Sequence, residues 1–438
     1  MKIKLFTILA LTCGISKAQE SIQYFRPNNK LGINIFETTK KDSTPFTGLK
    51  VKVGGNFTQD FQAIDHQNNA IAMYDSSGVN ANQLISIING FNLAMANLNI
   101  DAQLHDGIRM NLTMYLSTRH HVETWVKGGY IQIDKLTFFK SDVIDNIMRN
   151  FTIKVGDYEV DYGDQHYRRT DGGNAIYNPF VENYIMDGFA TEIGGEIYFH
   201  PIGGFIAMAG ITNGELNPTV VASTKVDSAT GKLNKYTPAF HGKIGYDHQY
   251  SGDFRFRITG SFYKVKSTAS NSLFSGDRAG SHYFFVMENT EATSDDNFRS
   301  GRYIPQFSQE VMTFMINPFL KYKGIELFGA YEMAQGRTIS ERDLRTATQY
   351  AVDLIYRFPR EKENFWIGAR YNSLTATPPG NSTDITINRA AGSMGWFITK
   401  NILMKAEYVI QEYENFVESD IRSGGRFDGF MLEASVAF

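Results

Sequence analysis

The sequence is poor in cysteine and proline and has no long apolar run after its first 20 residues. Its 438 residues include one cysteine and 11 prolines, against 33 phenylalanines and 23 tyrosines. A disordered chain would not carry so many large apolar side chains. A helical membrane protein would need apolar spans of about 20 residues. These absences leave two classes, a soluble β-rich protein and a transmembrane β-barrel.

The N-terminus has the pattern of a secretory signal peptide. Lys2 and Lys4 precede an apolar run at 5–12, and a small-x-small site ends at Ala18. We therefore predict a signal peptide at residues 1–18, cleaved after about Ala18. The run is too short to span a bilayer, so the mature chain is expected to leave the cytoplasm without this segment.

The single cysteine, Cys13, lies inside the predicted signal peptide. A lipoprotein acylated at Cys13 is the alternative, but Thr12 stands where Gly or Ala is expected. Cleavage removes three of the 43 basic residues and none of the 46 acidic ones, which leaves a net charge of −6. The mature chain then has no cysteine for a disulfide and no basic excess typical of a nucleic-acid partner.

Apolar and polar residues alternate with period 2 along much of the chain. Segments 108–117, 254–263 and 349–358 each place apolar residues on one face and charged or polar residues on the other. A soluble sandwich also alternates, but here the polar face is often charged over ten residues or more. Lipid outside and water inside a barrel explain this pattern. The last residues, 430–438, alternate in the same way and end on Phe438.

Short and long connections alternate strictly between these segments. Seven short ones are predicted: 105–107, 137–150, 200–203, 250–253, 323–324, 359–364 and 399–401. Seven short connections join fourteen strands, and the first and last strands bring the total to sixteen. The fold class predicted is all-β: an antiparallel transmembrane β-barrel of about 16 strands (14–18), with short periplasmic turns and long extracellular loops. It is expected to span residues 48–438.

Residues 19–47 precede the first strand without clear periodicity. We interpret them as a periplasmic N-terminal arm that is loosely ordered. The alternative is a segment that enters the lumen as a plug or binds a partner.

The third long loop, 157–187, is the candidate functional site because it combines tyrosines with charges of both signs. In a sixteen-stranded porin such a loop folds inward and narrows the pore, where charged side chains select ions and polar solutes. The predicted constriction residues of the loop are Asp161, Asp164, His166, Arg168, Arg169 and Asp171, and those of the facing wall are Arg109, Arg255, Arg257 and Arg370. A solvated surface loop with locally paired charges is the alternative.

Two stretches carry a resemblance to a known family. The run Gly156–Pro179 and the later Glu192–Phe199 resemble porin-type outer-membrane proteins of Bacteroidota, a Gram-negative group. More loosely, the whole mature chain is similar to the phosphate-selective porin superfamily. This resemblance implies a general diffusion pore or a substrate-biased one. The lysine ladder of phosphate porins is not evident, so phosphate selectivity is not expected.

The predicted function is passive diffusion of small hydrophilic solutes or ions across the outer membrane. The partners expected are the outer-membrane lipid bilayer and the solutes, with a homo-oligomer or a larger outer-membrane complex left open. The alternative is a plugged structural or accessory barrel subunit of such a complex. No hydrolase, metalloprotease or nucleotide-binding motif occurs, so no enzyme activity, cofactor or metal is predicted. Trp125, Trp366 and Trp396 are interpreted as residues of the membrane interface.

Overall fold

A computed structural model describes residues 21–92, 94–117, 124–275 and 278–438. The predicted signal peptide, 1–18, with Cys13, lies outside the described residues. Within those residues, no helix is both long and apolar enough to cross a membrane.

Sixteen long strands form one closed antiparallel sheet. They are β1 (Lys50–Gln67), β2 (Met95–His105), β3 (Ile108–Ser117), β4 (Trp125–Ile133), β5 (Phe151–Glu159), β6 (Thr191–Phe199), β7 (Phe205–Thr212), β8 (Ala239–Gln249), β9 (Phe254–Val265), β10 (Glu310–Tyr322), β11 (Ile325–Arg337), β12 (Arg345–Phe358), β13 (Phe365–Ala376), β14 (Ile385–Thr399), β15 (Ile402–Glu414) and β16 (Arg426–Ala437). Each strand pairs with the next, and β1 pairs with both β2 and β16, which closes the barrel. The predicted fold class and strand count are confirmed.

The barrel reverses the usual distribution of burial. On β12, Val352 and Leu354 are about half exposed, whereas Asp353 between them is 1% exposed. The last strand repeats the pattern, with Phe430 exposed and Glu433 buried. Apolar side chains therefore form the outer surface, and charged ones face the lumen, as the period-2 pattern predicts.

All seven predicted short connections lie at one end of the barrel, which we call the short-turn end. The tightest joins β10 to β11 through Lys323 and Gly324, whose φ angles of 49° and 87° are both positive. Two central residues with positive φ match the type I′ hairpin, which favours glycine. The longest of the seven contains a helix, α1 (Asp142–Met148), as its amphipathic sequence predicts.

One interpretation of an aromatic residue was wrong. Trp366 does not lie at the membrane interface: it is 1% exposed, faces the lumen and donates its indole N–H to the carbonyl oxygen of Pro179 at 3.2 Å. Residues 283–287, in the connection between β9 and β10, form no strand, and Tyr283 is buried inside the barrel. Two-residue strands occur at Gly90–Phe91, Val226–Asp227 and Lys232–Leu233.

The outward face of β12 permits a test of the fold. We expect Val352→Arg to lower the free energy of unfolding in lipid vesicles by about 2–4 kcal/mol, because it places a cation on the mid-height lipid-facing surface. The measurement is urea unfolding followed by tryptophan fluorescence. Ser382→Arg, in the exposed connection between β13 and β14, is the control and should have little effect. Equal losses from both variants would contradict the assignment of this face to lipid.

Candidate functional site in the lumen

Three segments enter the lumen and fill much of it. They are the N-terminal segment (residues 21–49), the inner loop between β5 and β6 (residues 160–190) and the described part of the long loop between β9 and β10 (residues 266–275 and 278–309). The predicted loop began at 157, but β5 continues to Glu159, so the first three of its residues belong to a strand. Tyr162, Val181 and Ile185 of the inner loop are fully buried in the main apolar cluster of the barrel.

The acidic start of the inner loop is held by cations on the wall. Asp164 receives two hydrogen bonds of 2.8 Å from the Arg257 guanidinium, and a third from the Thr259 hydroxyl at 2.8 Å. Lys243 on β8 contacts both Asp161 and Asp164. Such charge-assisted, bidentate contacts fix orientation as well as position. The structure thus brings together Asp161, Asp164 and Arg257 of the predicted set.

The N-terminal segment completes the same cluster. Glu37 accepts hydrogen bonds of 2.7 and 2.8 Å from Arg257. Phe36 beside it is buried and packs edge-to-face on Phe319 of β10, with ring centroids 5.4 Å apart. Arg257 is fully buried, and three carboxylates surround its positive charge: Asp164 of the inner loop, Glu37 of the N-terminal segment and, at 3.1 Å, Asp247 of β8.

The other arginines of the predicted set make separate contacts. Arg168 contacts Asn34 and lies 3.5 Å from Glu326, and Arg169 lies 2.5 Å from Asp187 and 3.3 Å from Asp171. On the wall, Arg255 pairs with Asp247 at 2.6 Å, whereas Arg370 pairs with Asp353 at 2.7 Å and donates to the Glu182 carbonyl oxygen at 2.8 Å.

Opposite charges set the ionisation of the inner loop. Burial alone would raise the pKa of Asp171, but the charges of Lys127 and Arg169 lower this pKa to about 2. Burial likewise would lower the pKa of His166, and its hydrogen bonds to Asp161 at 2.7 Å and Glu159 at 3.2 Å raise that pKa instead. Asp171 is therefore ionised at neutral pH, and the neighbours of His166 favour its protonated form.

A cavity of about 240 Å³ lies between the inner loop and strands β3–β6. Its lining reaches from Lys127 to Gln132 on β4. The five steps from one residue to the next along this stretch cover about 17 Å at about 3.3–3.4 Å per step. Two residues of the predicted set, Arg109 and His166, line this cavity, and the other eight are not among its lining residues. The part that those eight play in a constriction stays a prediction.

Several cavity residues were missed from the sequence. Lys154 lies 4.8 Å from the ring centre of Tyr130 and 4.5 Å from that of Tyr158, which are cation–π distances. Lys154 lies on the polar face of β5, so its period-2 position was a usable signal. The Tyr158 hydroxyl is buried and has no hydrogen-bond partner among the described residues.

The N-terminal segment crosses the short-turn end. Its hydrogen bonds of 2.5–3.2 Å reach opposite sides of the barrel: Gln23 to Asp106, Lys30 to Asn364, Asn34 to Glu326 and Lys40 to Asp134. Asp106 and Asp134 lie at the ends of strands β2 and β4, and Glu326 and Asn364 lie at the ends of β11 and β13. These contacts favour the interpretation of an arm that enters the lumen.

Comparison with known proteins identifies the fold. No protein-family model matches the chain, and no curated protein matches it. Among solved structures, the anion-selective porin from Comamonas acidovorans is 9% identical, with a TM-score of 0.52 over 89% of this chain and 100% of that one. The outer membrane channel DcaP of Acinetobacter baumannii (11% identical, TM-score 0.49) covers 90% of this chain and 99% of its own length. An outer membrane protein of Vibrio cholerae, OmpT, is 10% identical with a TM-score of 0.49 over 90% and 99% of the two chains. At 9% identity the similarity to the Comamonas porin concerns the fold alone, which is that of a sixteen-stranded porin barrel.

Proposed function

We propose that the protein is an outer-membrane porin that lets small hydrophilic solutes or ions diffuse passively through a lumen narrowed by the inner loop. The observation that carries the proposal is the cavity beside β3–β6, which is lined by charged, polar and aromatic side chains and extends over much of the strand height. In this orientation the short-turn end faces the periplasm and the long loops face the exterior. The apolar outer face supplies the contact with the bilayer.

The size of the cavity limits the solutes. Its volume of about 240 Å³ is below the range of about 300–1,000 Å³ that accommodates drug-sized ligands. Ions and solutes of a few heavy atoms are therefore the substrate class we propose.

The charge of the lining predicts weak selectivity. Its basic residues are Arg26, Arg109, Lys127, Lys154, His166 and His200, and its acidic residues are Glu37, Asp157 and Glu159. Several of them are already paired, as Lys154 is with Glu196 at 3.4 Å. The surplus of positive charge is small, so we propose a mild preference for anions.

Removing one lining charge tests the passage. We expect Lys154→Gln to lower the anion-to-cation permeability ratio by up to about fivefold, because two unit charges 4 Å apart interact by about 1 kcal/mol even in water. The measurement is the reversal potential of the purified protein in a planar bilayer under a salt gradient. Lys225→Gln, in the exposed connection between β7 and β8, is the matched control. Identical permeability ratios in the wild type and the Lys154 variant would show that ions do not pass through this cavity.

Releasing the inner loop tests the constriction. Arg168 ties the inner loop to Glu326 of β11, and Arg169 pairs with Asp187 within the loop and so holds its folded shape. We therefore expect the double variant R168A/R169A to increase single-channel conductance and to change ion selectivity. The exposed pair Arg342 and Arg360, replaced together by Ala, is the control and should leave conductance unchanged. Unchanged conductance and selectivity in R168A/R169A would exclude the loop as the narrow point.

A second candidate function is a plugged structural or accessory barrel of an outer-membrane complex. The observation that favours it is that the lumen is filled beside the wall opposite the cavity. There, inward-facing side chains such as Glu332, Asn372 and Gln411 are at most 1% exposed. The N-terminal segment across the short-turn end adds to this filling. A barrel of this kind would act through its loops or its N-terminal segment rather than through transport.

Deleting the N-terminal segment separates the two candidates. For a porin, we expect removal of residues 20–47 to increase single-channel conductance, because the deletion clears the short-turn end. For an accessory barrel, the wild type should yield a stoichiometric partner after gentle detergent extraction and should conduct no ions. Stepwise conductance of the wild type without a partner would exclude the accessory function.

A further inference from the structure

Two carboxylates face each other where the barrel closes. Asp60 on β1 and Glu433 on β16 are direct partners in the strand register, and each is 2% exposed on the luminal side. Like charges directly opposite each other on a sheet repel. The strand pair that closes the barrel therefore requires a cation at this position.

The long loop delivers a histidine to these carboxylates. His282 Nδ1 lies 2.5 Å from Asp60 Oδ2 and 3.6 Å from Glu433 Oε2, and the imidazole is buried. One nitrogen and two carboxylate oxygens thus converge on one point, with all three atoms within 4.8 Å of one another.

The carboxylates retain unused acceptor capacity. Asp60 Oδ1 and Glu433 Oε2 are buried and have no hydrogen-bond partner among the described residues. Lys405 Nζ lies 2.5 Å from Glu433 Oε1, a charge-assisted contact, and it also donates to three main-chain carbonyl oxygens, those of Ala175, Asn178 and Phe180. Lys405 therefore pairs with one oxygen of Glu433 and leaves Glu433 Oε2 and Asp60 Oδ1 open. Buried oxygens of this kind normally meet an ion or a water molecule.

The donor set selects the kind of ion. A neutral imidazole nitrogen with two carboxylates suits Zn²⁺ and other divalent first-row metals, whereas Ca²⁺ and Mg²⁺ prefer oxygen ligands alone. Bonds of about 2.0–2.1 Å around a tetrahedral ion separate the ligand atoms by about 3.3 Å. The separation of 3.6 Å between His282 and Glu433 is close to this value, and Asp60 needs to move back by less than about 1 Å.

We propose that Asp60, His282 and Glu433 bind one divalent transition-metal ion, with Zn²⁺ as the reference, which fastens the long loop to the strand pair that closes the barrel. On binding, the metal takes the Nδ1 lone pair of His282, and any proton there passes to solvent, with no change in oxidation state. Glu182 of the inner loop accepts hydrogen bonds from the Ser281 hydroxyl at 2.8 Å and from the His282 amide at 2.6 Å. The same ion would thus hold both luminal loops, whether the barrel conducts or not.

The test uses the full-length protein purified in detergent and dialysed against metal-free buffer. Zn²⁺ binding is measured by calorimetry and by metal analysis, and Co²⁺ serves as a spectroscopic probe through its visible absorption. We expect one equivalent of Zn²⁺ in the wild type and at least a tenfold loss of affinity in His282→Gln and Asp60→Asn. The control is His66→Gln. His66 also contacts the long loop, accepting a hydrogen bond from the Met287 amide at 2.9 Å, and this variant should bind Zn²⁺ like the wild type.

Three results would overturn the proposal. The wild type could bind less than one equivalent of Zn²⁺, His282→Gln could bind Zn²⁺ as tightly as the wild type, or His66→Gln could lose as much Zn²⁺ affinity as His282→Gln. Circular dichroism establishes that each variant is folded. Should the variants at residues 60 and 282 not fold, the wild type decides alone. A Co²⁺ absorption spectrum with nitrogen coordination then supports the site, and the spectrum of free aqueous Co²⁺ excludes it.

Discussion

The pairing of buried charge governs the interior of this barrel. A closed sheet with apolar side chains outside turns its charged side chains inward, and an ion removed from water costs several kcal/mol unless a partner compensates it. Arg257 is fully buried, and its charge is balanced by Asp164 from the inner loop and Glu37 from the N-terminal segment. Segments outside the sheet are therefore held in the lumen because they carry the counter-charges that the wall requires.

This constraint explains why the lumen is filled unevenly. Beside β9–β16, the inner and long loops provide a partner for most inward-facing groups, as Asn183 and Gly301 do by offering their carbonyl oxygens to Arg389. Beside β3–β6, Lys127 pairs with Glu159 and Lys154 pairs with Glu196. The cavity remains in front of these pairs. A mixed-charge cavity is left on one side, which is the basis of the proposed transport path.

The fold was predictable from local patterns, whereas the site was predictable only in part. Strand alternation and turn residues are local, and a shift of one residue would turn charged side chains into lipid, so the register has little freedom. The loop bearing Asp161 and Asp164 and the wall bearing Arg257 were both predicted, because complementary charge is visible in the sequence. Lys127 and Lys154 were missed, since many strands offer equivalent inward positions and only their neighbours distinguish them. Trp366 was placed on the wrong face, because an aromatic residue near a strand end suits both the interface and the interior.

The sequence by itself determined the sixteen-stranded barrel, its short-turn end and the inward face of each strand, because these depend on period and turn chemistry along a single stretch of chain. The tertiary structure decided which charges meet. Asp60, His282 and Glu433 are more than 370 residues apart from first to last, and they converge because the first strand closes on the last and a distant loop folds between them. No spacing rule encodes such a contact, since it depends on barrel closure and on the path of the loops through the lumen.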